Sequence, residues 1–130
     1  MDTTQMLKGA LDLAVLAVVR DADGYGYDIV RRLRSAGLTD VGEASVYGTL
    51  RRLDQSGCLS AYVVPSEEGP HRKYYGINDT GRAQLETSTA TWQTFAGTLD
   101  GLLTNGSSGT TVRITGGTDD GTTDGKEARA

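Results

Sequence analysis

The 130-residue sequence contains one cysteine, Cys58, and one histidine, His71. A single thiol excludes an internal disulfide framework and fits a reducing compartment. These two residues are also the chain's whole stock of zinc's usual nitrogen and sulfur ligands, so no metal site is expected. Long apolar runs are missing as well. The most apolar stretch, Leu11 to Val19, is interrupted by Asp12 and bounded by Arg20 and Asp21, far short of the ~20 residues a bilayer requires. No secretory pattern is visible, so a soluble chain in the cytoplasm, away from membranes, is expected. There is no glycine-rich phosphate loop, nucleophile elbow, His–Cys pair or carboxylate pair at acid–base spacing. The chain is therefore not read as an enzyme, and no cofactor is expected. Cys58, at the start of a strand, reads as a small buried hydrophobe.

What is present is a pattern of short amphipathic segments. With 37% hydrophobic and 23% charged residues, the chain can support one small core, the kind that often gains stability by oligomerising. Thr4 to Arg20 reads as a helix with apolar residues on several faces, stopped by Asp21-Ala22-Asp23-Gly24. A second helix is expected from Tyr25 to Ser35, with Tyr27, Ile29, Val30 and Leu33 as candidates for its inner face and Gly37 as its stop. A third spans Glu43 to Gln55 and ends at Gly57. Two strands, Cys58 to Val64 and Arg72 to Ile77, flank the turn-forming Pro65-Ser66-Glu67-Glu68-Gly69-Pro70. Asn78 suits the N-cap of a last helix from Asp79 to about Leu103. From residue 105 onward Gly, Thr and Asp dominate, which predicts a disordered tail with at most a short strand around Val112 to Ile114. The predicted fold is mainly α with a small β-hairpin: residues 1–78 as a winged helix-turn-helix, 79–104 as a C-terminal helix, and 105–130 as tail.

The formal net charge of −4 looks wrong for a nucleic-acid binder, but the cations are clustered. Residues 31–73 hold seven of the thirteen Lys and Arg. On a wheel of about 100° per residue, Val46, Leu50 and Leu53 of the third helix span about 60°. The opposite arc carries Ala44, Ser45, Gly48, Arg51, Arg52 and Gln55. A helix that is small and polar at its N-terminal half and basic further on suits the major groove with phosphates alongside. Pro70-His71-Arg72-Lys73-Tyr74-Tyr75 places two cations beside a turn, as a wing reaching phosphates or the minor groove would. One of Tyr74 and Tyr75 is expected to be core, because strand side chains alternate. Arg31, Arg32 and Arg34 could serve the backbone-crossing helix. Each cluster alone reads equally as a solvated surface; the combination points to double-stranded DNA. The candidate contacts are Ser45, Tyr47, Thr49, Arg51, Arg52 and Gln55 on the helix, and Arg72 and Lys73 on the hairpin. The alternative is a winged-helix module that binds another protein, which the acidic balance favours.

The stretches Leu7-Lys8-Gly9-Ala10-Leu11-Asp12-Leu13, Tyr25-Gly26-Tyr27-Asp28-Ile29, Ser45-Val46-Tyr47-Gly48-Thr49-Leu50-Arg51-Arg52-Leu53-Asp54, Gly57-Cys58-Leu59 and Gly69-Pro70-His71-Arg72-Lys73-Tyr74-Tyr75 through Thr80-Gly81-Arg82 occur in one order. Together they resemble the PadR-family transcriptional regulators, in a short form with a single C-terminal dimerisation helix. The resemblance implies repression from an inverted-repeat operator, often relieved by a small molecule. It also implies that Ser45 and Tyr47 start the recognition helix and that Lys73 lies on the wing. Gly48 departs from the family's usual proline, and Val46 from its leucine.

In the last helix Leu85, Trp92 and Leu99 recur at heptad spacing, with Phe95 and Leu102 three residues after the latter two and Ser88 at the first d position. Two heptads are too few for an isolated coiled coil, so the first helix, through Leu7 and Leu11, is expected to join a homodimer interface. The stripe could instead pack on its own domain. Trp92 resembles a stacking platform for the family's flat aromatic effectors; a large core anchor is the other reading.

Overall fold

The computed structural model describes residues 6, 7 and 9–108. Its elements, in order, are α1 (Leu11–Asp21), β1 (Gly24–Tyr25), α2 (Gly26–Ser35), α3 (Glu43–Gln55), β2 (Leu59–Val64), β3 (Arg72–Ile77) and α4 (Asp79–Ser108). The helix expected from Thr4 is broken by a turn at Gly9 and Ala10, so α1 starts at Leu11. Glycine is a poor helix former, and this interruption lies where one occurs. Thr4 itself lies outside the described residues.

Both predicted glycine stops act through the left-handed conformation. Gly37 has φ 121° and Gly57 φ 85°. After α2, Leu38 N–H donates to Leu33 O (3.1 Å) and Gly37 N–H to Arg34 O (3.1 Å). Cys58 N–H and Gly57 N–H close α3 in the same way on Leu53 O and Asp54 O. These reversed bonds satisfy carbonyls that the helix end would otherwise leave unpaired. Asn78 caps α4 as expected, its Oδ1 accepting from Gly81 N–H at 2.9 Å.

The sheet has three antiparallel strands in the order β1-β3-β2. The expected hairpin is there, with Tyr62 opposite Tyr74 and Leu59 opposite Ile77. The added strand β1 pairs Gly24 with Tyr75 and Tyr25 with Tyr74. One face of the sheet, through Leu59, Tyr75 and Ile77, packs on the helices. Of the two adjacent tyrosines, Tyr75 is thus the one on the core.

That core joins Val15, Leu16 and Val19 of α1, Ile29, Val30 and Leu33 of α2, and Val46, Leu50 and Leu53 of α3, with Cys58 and Leu59. Full burial of each such aliphatic side chain contributes about 1.5–3 kcal/mol. Tyr27, a candidate for the inner face of α2, is exposed instead.

The chain divides into two units, the first ending at Ala90 and the second beginning at Thr91. The first turns of α4 belong to the first unit. A Cβ on Gly81 would overlap the carbonyl oxygen of Cys58, so the helix starts hard against the entry to β2. Leu85, one turn later, is in the core. In the second unit the Trp92 and Phe95 rings lie 5.9 Å apart. Helix α4 continues past Leu103 to Ser108, so residues 105–108 are helical and not part of a tail. The expected strand around Val112 to Ile114 lies outside the described residues.

Candidate nucleic-acid interface

Helix α3 turns Val46, Thr49, Leu50 and Leu53 inward. Thr49, expected to contact DNA, is only 4% exposed. Its position about 60° from Val46 on the wheel extends the buried arc to a width of about 100°. It is therefore a core residue. Ser45, Tyr47, Arg51, Arg52 and Gln55 are all exposed. They do not act as one patch, because Arg52 Nη2 pairs with Asp12 Oδ1 of α1.

Two of the three cations of α2 serve the fold. Both Nη atoms of Arg32 donate to Ala22 O (2.9 and 2.7 Å), and Nη1 also reaches Val18 O at 3.3 Å. Arg34 donates twice to Val41 O, from Nε at 3.1 Å and Nη2 at 2.9 Å. Arg31 pairs with Asp28 Oδ1 at 2.9 Å. Of the expected phosphate cluster, Arg32 and Arg34 are thus braces tying α2 to the chain on either side of it, whereas Arg31 pairs within the helix and stays exposed.

Arg51, Arg72 and Lys73 differ: they take part in no ion pair among the described residues, and they border one cleft. Strand register explains the cleft. β1 stops at Tyr25, opposite Tyr74, because Gly26 already begins α2. β3 therefore runs on past the end of β1, and its residues 72 and 73 border the cleft together with the start of α2 and Arg51 of α3. The open space of about 380 Å³ is lined by Tyr25, Gly26, Tyr27, Tyr47, Arg51, Arg72, Lys73 and Tyr75. Rings hold the cations in place: the Arg72 guanidinium lies 4.5 Å from the Tyr25 centroid, and Lys73 Nζ lies 5.6 Å from that of Tyr75. Burial, followed by the negative charge of Glu43, raises the Tyr47 pKa above 10.0, and the hydroxyl also donates a hydrogen bond to the Glu43 carboxylate.

Four lining residues, Tyr25, Gly26, Tyr27 and Tyr75, were not among the sequence candidates. Their signal was the run Tyr25-Gly26-Tyr27, which read as the start of a helix and is also the floor of the cleft.

The expected interface residues separate. Leu11 and Leu85 are 7% and 6% exposed in the chain's own core, so their apolar surface is already covered. Leu7 is half-buried against that core. Trp92, Phe95 and Leu99 are exposed, Trp92 at 44% and Phe95 at 58%, so Trp92 is not a core anchor of this chain. Among the described residues, no group of three or more His, Cys, Asp or Glu could hold a metal ion, and no helix is long and apolar enough to cross a membrane.

Three helices and a small three-stranded sheet, with α3 beside a basic hairpin, define a winged helix-turn-helix protein. The pattern of the transcriptional regulator PadR-like family matches residues 15–87, more than half of the chain. An uncharacterized protein X of Lysinibacillus sphaericus is 30% identical over 94 residues, covering 71% of this chain and 86% of that one. Among solved structures, a PadR-like transcriptional regulator of Bacillus cereus superposes with a TM-score of 0.67 at 36% identity, covering 76% of this chain and 96% of that one. Bacillus subtilis PadR, solved in complex with operator DNA, shares the fold at a TM-score of 0.56 and 21% identity over 61% of this chain and 46% of that one. The chain belongs to the PadR-like family of transcriptional regulators.

Proposed function

We propose that this protein acts in the cytoplasm as a DNA-binding repressor. It binds an inverted-repeat operator as a homodimer through the second unit of α4, and a small aromatic effector releases it. The carrying observation is the cleft, where Arg51 of the recognition helix and Arg72 and Lys73 of the wing, free of ion pairs among the described residues, border one concave surface. A polyanion is the partner that such a surface fits. In this reading Arg72 and Lys73 hold backbone phosphates, the Tyr47 hydroxyl exchanges Glu43 for one, and Ser45 and Gln55 reach base edges. Arg52 joins by exchanging Asp12 for a phosphate. Trp92, exposed beside Phe95, offers its indole face to an aromatic effector between subunits.

The test is a titration of operator and scrambled duplexes at two salt concentrations. Lys73→Ala should weaken both alike and lower the salt slope by about one. Ser45→Ala or Gln55→Ala should cost about 1–3 kcal/mol on the operator alone. Folded variants that retain wild-type affinity and slope on both duplexes would leave the protein-binding reading, which the net charge of −4 favours.

A further inference from the structure

The outer face of the sheet, away from the helices, carries a row of three tyrosines in register. Tyr25 of β1 stands opposite Tyr74 of β3, which stands opposite Tyr62 of β2. The Tyr62 and Tyr74 rings stack at 5.8 Å and 22°, and those of Tyr74 and Tyr25 meet at 5.6 Å and 59°. Both ends of the row are tied. At one, the Tyr62 hydroxyl donates to Asp23 Oδ2 at 2.6 Å. That carboxylate lies over Gly76, where a Cβ would come within 2.9 Å of Oδ1. At the other end Tyr25 carries the Arg72 guanidinium at 4.5 Å. Arg72 sits two residues before Tyr74 on the same face, so it reaches the Tyr25 ring along the diagonal of the ladder.

We propose that this row aims the wing: Tyr25, backed by Tyr74 and Tyr62, is a positioning residue for Arg72 in DNA binding. The proposal rests on the DNA-binding reading above. A two-stranded hairpin is marginal alone, and the β2–β3 tip extends beyond β1 with every residue from Ala61 to Lys73 exposed. Arg72 takes part in no ion pair among the described residues, so the Tyr25 ring is the contact that selects its orientation. A long cationic side chain held ready before binding loses less entropy when it meets a phosphate. This gives the two-residue strand β1 a purpose that its length does not suggest: it brings one ring to the root of the wing.

Two readouts on the full chain test the proposal, one independent of DNA. The first is the NMR order parameter of the Arg72 Nε–H in the free protein. The second is the salt slope of duplex binding. Tyr25→Leu should lower the order parameter and reduce the slope by about one, and Arg72→Gln should reduce the slope by the same amount. The double variant Tyr25→Leu/Arg72→Gln should lose no more slope than either single one. Tyr25→Phe keeps the ring and should retain both properties. Tyr62→Val, at the exposed end of the row, should lower the order parameter in the same direction, and it serves alone if Tyr25→Leu does not fold. A wild-type order parameter in these variants overturns the proposal whether or not DNA binds. A lowered order parameter with a wild-type slope also overturns it, since Arg72 would then be ordered for something else. Absence of any salt-dependent binding by the wild-type protein removes the DNA-binding reading and this role with it, while the order parameters still report whether the row holds Arg72.

Discussion

Gly26 and Tyr47 are in direct contact across the floor of the cleft: a Cβ at position 26 would overlap Cε1 of the Tyr47 ring. The absence of a side chain at the first residue of α2 therefore makes the seat for a ring on α3. Gly26→Ala should push the ring toward the wing and narrow the space beside Arg72 and Lys73. Binding to any duplex should weaken by about 1.5–3 kcal/mol, the range of a lost charge-assisted contact. Stability should hold, because alanine is the better helix former and the ring can swing out. Tyr47→Ala removes the obstacle, so in the double variant Gly26→Ala should cost nothing further. Additive losses would show that the two residues act separately.

Much of this was legible because it is local. The buried stripe of α3, the stops at Gly37 and Gly57, the cap at Asn78 and the cations of the wing each follow from a few neighbouring residues. The strand β1 was not legible. Two residues carry no alternation, and its existence depends on Tyr74, far along the chain. The roles of Arg32 and Arg34 were hidden for the same reason, since the carbonyls of Ala22 and Val41 that hold them are placed by tertiary structure. The heptad spacing of Leu85 with Trp92 and Leu99 was real, yet Leu85 lies in the first unit and is buried there. A periodicity read along one helix does not show where the body that it packs on ends.

Arg32 supplies the second prediction. Its planar fork donates to Ala22 O from both Nη atoms and lies beside Asp28, with Nε 3.4 Å from Oδ2. A lysine cannot reproduce that fork. Arg32→Lys should destabilise the fold by about 1.5–3 kcal/mol, seen as a lower urea midpoint at constant m-value. The DNA salt slope should stay at its wild-type value. Intact stability with a reduced slope would return Arg32 to the phosphate contacts.

The pair between Asp12 and Arg52 joins two half-exposed side chains, so it contributes at most about 1 kcal/mol to stability. Its larger effect should be on binding, because the Asp12 carboxylate competes with phosphate for Arg52. Asp12→Asn should leave the melting temperature nearly unchanged. Affinity for operator and scrambled duplexes should rise alike, and the salt slope should steepen by about one. Weaker binding would mean that Asp12 orients Arg52 for DNA and does not restrain it.

The bond from Tyr62 to Asp23 makes a prediction in pH. That hydrogen bond, then burial, then the Asp23 charge raise the Tyr62 pKa above 10.0. A raised folded-state value means that the fold prefers the protonated phenol. The contribution is complete below the unfolded-state pKa of about 10 and is lost as pH rises through the folded-state value. Tyr62→Phe should therefore be less stable than wild type at pH 8, and urea midpoints should converge above pH 10. Tyr47 is shifted in the same direction, so the difference between the two proteins is the quantity to follow. Equal urea midpoints of the two proteins at pH 8 would show that Tyr62 stabilises by its ring alone, and a gap that persists unchanged above pH 10 would show that the protonated hydroxyl is not its source.

The last prediction concerns the partner of the second unit. Trp92, Phe95, Leu99 and Leu102 are all exposed large apolar side chains on one stretch of α4. From Ala83 to Ser108 the only charged residues are Glu86 and Asp100, both acidic. A self-pairing helix of this kind has none of the flanking salt bridges that usually set coiled-coil pairing, and must rely on apolar contact. Association and DNA binding should therefore respond to salt differently. Sedimentation equilibrium at micromolar concentration should give twice the 13.7 kDa chain mass, nearly unchanged between 50 and 500 mM salt, on the order of the range over which DNA affinity collapses. Phe95→Glu places a carboxylate against the partner's apolar face, and should cost several kcal/mol and leave a folded monomer. That monomer should bind a half-site weakly and lose the gain from a second half-site. Wild-type monomer at micromolar concentration would remove the homodimer and the inverted-repeat operator together, while leaving each protomer's cleft free to bind DNA alone.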